Sequence, residues 1–303
     1  MLSLGIDVGG TSVKAGLIDE RYCVAARASL PTPAGDAAAL TETVCRLAYE
    51  LGGDLASIRK VGVTVPGTVD NNGVVEKLTN LGLYDIPLGR MLSERLKKPV
   101  SLINDADAAA LAELNAGALR GVQNGLMLTI GTGLGGAIIL NGRLFKGGRS
   151  RGTEPGHMIL QRGGLSCGCG GHGCAETLCS ASALARLAQN ACNEGKGMIY
   201  SLNKSGRSAD AKLLLDCAAV GDEYALDALG EYIDALSDAL ASFVNILDPE
   251  VIVIGGGVSA AGETLLAPLR RATADKCFFG SCGDIVAAET GNDAGMIGAV
   301  ILE

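Results

Sequence analysis

LGIDVGGTSVKAGLID, residues 4–19, reads as an apolar strand, a glycine-rich turn and a second apolar strand. LMLTIGTGLGGAIILN, residues 126–141, repeats the pattern. One such hairpin is common; two of them about half a chain apart point to a duplicated domain. Between and after them, strand patterns at Val61–Val65, Val100–Ile103, Val251–Ile254 and Asp284–Ala287 alternate with helix patterns. The helices are expected over Ala37–Leu51, Ala106–Gly117, Ser180–Glu194, Ala211–Ala219 and Tyr224–Leu247. Strands interleaved with helices give the α/β class with mixed sheets.

Each glycine-rich turn has the makings of a phosphate site. Glycines at Gly9 and Gly10 let the backbone approach a phosphate with amide hydrogens pointing outward, and Thr11 adds a hydroxyl. Asp7 ends the first strand, where a carboxylate can hold Mg²⁺ through water. Gly131-Thr132-Gly133-Leu134-Gly135-Gly136 repeats the device. A third cluster, Gly255-Gly256-Gly257, follows the strand Val251–Ile254 and is expected to open onto a helix beneath a nucleoside. Any one cluster reads as a plain tight turn; three, each at a strand end, read as phosphate-facing loops. No Walker A sequence is present.

Asn104-Asp105 stands where a strand gives way to a helix, the place at which open α/β sheets bind ligands. Phosphoryl transfer to an alcohol needs a carboxylate beside the attacking hydroxyl, and Asp105 is the candidate. Position alone serves equally well for a helix cap, and Asp107 suits the helix dipole.

Cys167, Cys169 and Cys174 place three thiols within eight residues, separated by glycines, and His157 lies ten residues upstream. Three Cys and one His form a closed tetrahedral Zn²⁺ site, hence a structural one. His172, inside the loop, is the alternative fourth ligand, and the residues leave the two open; His157 is favoured, since a His so near the cysteines in the chain is less suited to close the tetrahedron. Glu154 and Glu176 flank this region and suit hydrogen bonds to sugar hydroxyls, though each alone reads as an exposed loop acid. The remaining cysteines, Cys23, Cys45, Cys179, Cys192, Cys217, Cys277 and Cys282, are scattered and read as reduced and buried.

Bulk properties narrow the class. The 303 residues are 48% apolar and 19% charged, enough for a sizeable core. A net charge of −8 argues against nucleic-acid binding, since phosphate backbones need compensating cations. No apolar run approaches the roughly 20 residues that span a bilayer, so no membrane contact is expected. The first residues already read as a strand with no basic segment before it, which implies a cytoplasmic location.

Taken together, Asp7-Val-Gly-Gly-Thr11, Val65-Pro-Gly67, Asn104-Asp-Ala-Asp-Ala-Ala-Ala110, Gly131-Thr-Gly-Leu-Gly-Gly136, Glu154-x-Gly-His157 and Cys167-x-Cys-Gly-x-x-Gly-Cys174-x-Glu176 resemble, in order, the motifs of the ROK family of repressors and sugar kinases. The resemblance spans nearly the whole chain and is nearest to the family's bacterial glucokinases. It implies an actin-like ATPase (ribonuclease H-like) fold of two domains, 1–117 with 290–303 and 118–289, with an interdomain cleft. It implies ATP-dependent phosphorylation of a hexose, most simply glucose, with Mg²⁺ and a structural Zn²⁺, in carbohydrate metabolism and glycolysis, and a homodimer. By resemblance Asp105 is the general base and Asn104 binds the sugar. Asn80, Glu154, His157 and Glu176 line the sugar site, with His157 serving zinc and sugar at once. Asp7, Gly9, Gly10, Thr11, Gly131, Thr132, Gly133, Gly135, Gly256 and Gly257 serve the nucleotide and metal. Ser12, with Lys14 two residues on, stands where the family often carries Lys. Pro155 and Ala175 replace an aliphatic and a bulky residue, which leaves the identity of the sugar open among glucose, N-acetylmannosamine, fructose and allose. The family's repressors carry a DNA-binding domain ahead of the first strand, and a strand beginning at Leu2 leaves no room for one; a sugar sensor acting through a protein partner is the competing class.

Overall fold

The computed structural model describes residues 1–78, 81–148 and 151–302. The chain runs β1 (Leu2–Val8), β2 (Ser12–Ile18), β3 (Val24–Pro31), α1 (Ala37–Gly52), β4 (Ile58–Val65), β5 (Thr68–Val69), β6 (Val75–Leu78) and β7 (Leu83–Ile86). Then come α2 (Leu88–Leu96), β8 (Val100–Asn104), α3 (Asp105–Ala116), β9 (Gly125–Ile130), β10 (Leu134–Leu140) and β11 (Arg143–Leu144). A helical stretch follows: α4 (Glu176–Cys179), α5 (Ala181–Asn193), α6 (Gly197–Lys204), α7 (Ala211–Ala219) and α8 (Glu223–Leu247). The chain ends with β12 (Val251–Gly255), α9 (Glu263–Lys276), β13 (Asp284–Ala287) and α10 (Ala294–Ile301).

Two compact units result. The first holds Met1–Gly121, Arg143–Thr153 and the chain from Glu289 on; the second holds Val122–Gly142 and Glu154–Ala288. The excursion Arg143–Thr153 into the first unit has no counterpart in the contiguous 118–289 expected from sequence.

In the first unit the sheet order is β3-β2-β1-β4-β8. β1 pairs antiparallel with β2 and parallel with β4, and β4 is parallel to β8. In the second unit the order β10-β9-β12-β13 repeats this plan: β9 is antiparallel to β10 and parallel to β12, which is parallel to β13. The sequence echo is therefore an echo of topology. β5, β6 and β7 make a small antiparallel sheet on the first unit.

Burial follows the position of each strand. β3, at an edge, alternates half-buried and exposed residues along its whole length, as a strand with one wet face must. β4, flanked on both sides, buries Val61, Val63, Val65 and Thr64 alike. The core of the second unit gathers Leu126, Leu128 and Ile130 of β9 with Leu213, Leu236 and Leu240 of the surrounding helices. Helix starts carry the expected acceptors: Asp36, Asn104, Ser180, Asp210 and Asp222 each bond amides of the first turn.

α10 lies close against the sheet and α3 of the first unit, and glycine makes this possible. A Cβ on Gly5 or Gly62 would collide with the carbonyl oxygens of Met296 and Ala299, and one on Gly298 with that of Ala108. α3 answers with a run of buried alanines at Ala106, Ala108, Ala109, Ala110 and Ala112. Because the obstacle at Gly62 is main chain, no rotamer change relieves it. Gly62→Ala is expected to destabilise the fold by about 3 kcal/mol, read as a lowered midpoint in urea or thermal unfolding.

The cysteine expectation needs one correction. All ten are free, and Cys45, Cys179, Cys192, Cys217 and Cys277 are buried, but Cys23 is exposed and Cys282 only half-buried. Cys23 sits in the turn between β2 and β3, where its amide donates to Asp19 Oδ1 at 2.8 Å and its side chain has no core to enter. Among the described residues no helix is long and apolar enough to cross a membrane.

Candidate functional site

In the first unit the carboxyl ends of three neighbouring parallel strands bring the candidate residues together. Asp7 lies beside Thr64, and Val65 beside Asn104. Thr64, fully buried, donates its hydroxyl to Asp7 Oδ1 at 2.8 Å, which fixes the carboxylate at the strand end. Asp7 packs against Gly295, where a Cβ would stand 3.0 Å from its carboxyl carbon.

Asn104 settles which side chain caps α3. Its Oδ1 accepts from Ala106 N at 2.8 Å and Asp107 N at 3.2 Å, while its Nδ2 donates to the Gly67 carbonyl at 3.1 Å. Asp105 is instead the first helical residue and exposed, with Oδ1 2.9 Å from Ala106 N. Asp107 is buried. The cap reading, open for Asp105 in the sequence, belongs to its neighbour. Asn80 lies outside the described residues.

Both glycine turns are braced through their carbonyls. Gly9 O accepts from Thr32 Oγ1 at 2.7 Å and Thr11 O from Thr32 N at 3.1 Å. In the second unit Gly131 O accepts from Ala181 N at 2.8 Å and Thr132 O from Ser182 Oγ at 2.7 Å. Tying carbonyls back into the protein turns the acceptor side of each loop away from an approaching anion. The expectation of outward amides needs amending at two positions: Gly9 N donates to Ser12 O and Gly131 N to Gly133 O, both at 3.0 Å, because the turn must close on itself. Gly10 and Gly131 have nothing within 4 Å of a would-be Cβ, so open space adjoins the backbone there.

The third glycine cluster joins the second. Gly255 of β12 pairs with Thr129 of β9 on the side opposite Gly135 of β10, which sets Gly256 beside the end of β9 where the 131–133 turn begins. Gly256 has φ of 79° and lies against the Ile130 carbonyl, a position that only glycine fits. It leads into a short 3₁₀ turn, Gly257–Ala261, and then α9.

The cysteine loop is also in the second unit. His157, Cys167, Cys169 and Cys174 bring one ligand atom each within 4.8 Å of one another. His157 Nδ1 is 3.7 Å from Cys167 Sγ, and Cys169 Sγ is 3.7 Å from Cys174 Sγ. A tetrahedron with metal–sulfur bonds of about 2.3 Å has sulfur–sulfur edges of roughly 3.8 Å, so the four donors fit Zn²⁺. His172 takes no part in this cluster; its Nδ1 is 3.4 Å from Ser166 Oγ. Burial pushes the Cys167 thiol up to about 12 and raises that of Cys174, while the Gly171 amide lowers that of Cys169. Buried thiols of this kind ionise when a cation takes the proton's place.

Glu176 links this loop to the second glycine turn. Its Oε2 accepts from Leu134 N at 3.0 Å, and its Oε1 lies 3.6 Å from Cys167 Sγ. A Cβ at Gly133 would run into the same carboxylate, and Gly156 meets the Leu134 carbonyl just as closely. Glu154 is exposed as a residue, yet protein crowds its carboxyl group. That desolvation raises its pKa; His157 pulls it down and Glu176 adds to the rise. Pro155 and Ala175 are buried, Ala175 within the core, so these two departures from the motif act on packing. The sequence did not single out Thr32, Thr64 or Ser182, the braces of the loops; each is an isolated hydroxyl residue far along the chain from its partner.

The ROK family pattern matches residues 3–303. The chain belongs to the ROK family. A glucokinase of Thermotoga maritima is 35% identical over 98% of this chain and 95% of its own length. An N-acetylgalactosamine kinase of Shewanella sp. is 30% identical over 98% of this chain and 95% of its own length. Among solved structures, a ROK family glucokinase from Streptomyces griseus in complex with glucose and AMPPNP superposes with a TM-score of 0.85 at 30% identity, covering 99% of this chain and 98% of that one. The fold is the actin-like ATPase type, each unit carrying one copy of the repeated sheet.

Proposed function

We propose that this chain is an ATP-dependent hexose kinase that phosphorylates the sugar's primary hydroxyl, with glucose as the first substrate to try. The observation that carries the proposal is Asp105: an exposed carboxylate at the end of a parallel strand, on a helix already capped by Asn104. In this reading Asp105 accepts the hydroxyl proton as the oxygen attacks the γ-phosphorus. Asn104 Nδ2, held by the Gly67 carbonyl, orients the residue pair. Gly9–Thr11 and Gly131–Gly136 present backbone to the phosphates, and Gly256–Gly257 serves the nucleoside. Asp7 offers the oxygen chemistry that suits Mg²⁺, which supplies charge neutralisation on the phosphates when bound.

The cysteine loop would hold Zn²⁺ through His157, Cys167, Cys169 and Cys174. With Nδ1 of His157 in the cluster, Nε2 is the ring nitrogen left to meet a sugar hydroxyl. Glu154 and Glu176 supply acceptors beside it.

The glucokinase relative and the glucose-bound neighbour favour glucose, and the N-acetylgalactosamine kinase at 30% identity keeps amino sugars in view. A coupled ADP-release assay over glucose, mannose, fructose, allose, N-acetylglucosamine, N-acetylmannosamine and N-acetylgalactosamine decides. Glucose is expected to give the highest kcat/KM. Higher values for an N-acetyl sugar would move the substrate, and no sugar-dependent ADP release from any would favour a non-catalytic sensor. A cytoplasmic homodimer belongs to the same proposal, and sedimentation reads its oligomeric part.

A further inference from the structure

Glu113 is fully buried within α3, two turns beyond Asp105, and serves no part of the chemistry proposed above. Its Oε1 accepts from Glu289 N at 2.9 Å, Thr290 N at 2.8 Å and Thr290 Oγ1 at 2.6 Å. Its Oε2 accepts from Ala118 N at 2.7 Å. Among the described residues no basic side chain forms a salt bridge with it. A buried carboxylate without a counter-ion is costly, and short hydrogen bonds from several donors are what offset that cost. The neighbouring backbone is shaped around it: a Cβ at Gly117 would collide with Oε2.

Its four donors come from two stretches of chain with one thing in common. Ala118 lies just before the chain leaves the first unit, between Gly121 and Val122. Glu289 and Thr290 are the first residues after its final return, following Ala288. Carboxylate chemistry is needed to join them. Glutamine has one acceptor oxygen, and its NH₂ would face an N–H donor at Ala118 or at Glu289 and Thr290. An apolar side chain would leave all four donors without an acceptor.

We propose that Glu113 is a positioning residue for phosphoryl transfer: its carboxylate fastens the outgoing and returning segments of the chain to the helix that carries Asp105. This rests on the kinase reading given above. These bonds tie Ala118, Glu289 and Thr290 to α3 through one carboxylate, which keeps Asp105 in register with the attacking oxygen. Misplacement of a catalytic group by about 1 Å costs on the order of 10²-fold in rate.

Three variants test this: Glu113→Gln, Thr290→Val and the pair combined. Glu113→Gln is expected to lower kcat about 10²-fold while the equilibrium dissociation constants for sugar and nucleotide stay near native. Thr290→Val removes only the hydroxyl donor and is expected to give a smaller fall in kcat in the same direction. Because both act through one junction, the double variant is expected to be no slower than Glu113→Gln alone. Native kcat in Glu113→Gln, with only the unfolding temperature lowered, would overturn the proposal, as would a double variant whose loss is the product of the two single losses. If Glu113→Gln does not fold, native kcat in Thr290→Val overturns it. A wild-type chain that phosphorylates no sugar fails the kinase reading itself, an outcome distinct from both.

Discussion

Asp105→Asn is expected to slow sugar phosphorylation by about 10²–10⁴-fold, equivalent to roughly 3–5 kcal/mol of transition-state stabilisation. The amide keeps the size of the side chain and one acceptor oxygen for Ala106 N, but it takes up a proton at neutral pH far less readily than a carboxylate. Stability provides the contrast. Asn104, not Asp105, caps α3, and the charge at 105 adds a favourable helix-dipole interaction of about 0.3–1 kcal/mol. Asn104→Ala removes the cap itself, worth about 1 kcal/mol, and shows in unfolding curves as well as in rate. Comparison of kcat and unfolding midpoint for the two variants separates chemistry from capping. A near-native rate in Asp105→Asn removes this residue from the role of base.

The parts of the fold legible in the sequence were those written in local pattern. The two glycine hairpins stood out because strand, turn and strand are contiguous, and both sheets grow from them as β1–β2 and β9–β10. Asp284–Ala287 and Ala211–Ala219 coincide with β13 and α7, where apolar runs meet clear turn or cap residues. α10 carried no such signal. Its AGMIGAVI is apolar all round, with glycines at 295 and 298, because it is wedged between a sheet and α3; no periodicity can announce a helix buried on several sides. α2 and α6 were likewise passed over, and α9 was expected only as a helix of unstated extent after Gly257, its pattern interrupted by Pro268. The return of Arg143–Thr153 to the first unit depends on tertiary packing alone.

For the candidate site, the distinction is between residues proposed to act and residues that hold them. Asp7, Asp105 and the cysteine cluster belong to compact motifs and were visible. The choice between His157 and His172 was open in the residues, and the folded chain brings His157 to the cysteines, while the bridge of Ser166 with His172 sets that ring against Ser166. Thr64 under Asp7, Thr32 behind Gly9 and Glu113 behind α3 lie far in sequence from what they brace. Only the folded chain brings them into contact.

Cys167→Ser is expected to abolish stoichiometric metal binding and to raise the KM for sugar about 10–100-fold, the cost of one or two hydrogen bonds to charged groups. Glu176 couples the two effects. Its Oε1 neighbours Cys167 Sγ while its Oε2 holds the Leu134 amide, so an unanchored cysteine loop is expected to displace the proposed sugar acceptor and a contact of the glycine turn together. His157, no longer fixed by a metal at Nδ1, also loses the orientation of its other nitrogen. The core of the second unit is built mostly from β9, β12 and the helices around them, with Ala175 the loop's one fully buried contribution among the described residues. Circular dichroism is therefore expected to stay near native while metal content, measured by elemental analysis, falls from about one per chain towards zero. Cys23→Ser, altering an exposed thiol remote in sequence from the loop, should change neither quantity. A metal-free Cys167→Ser protein with unaltered sugar KM would show that the four donors cluster for folding alone, and that the sugar acceptors are held in place by the packing of Pro155, Gly156 and Gly133 against β10.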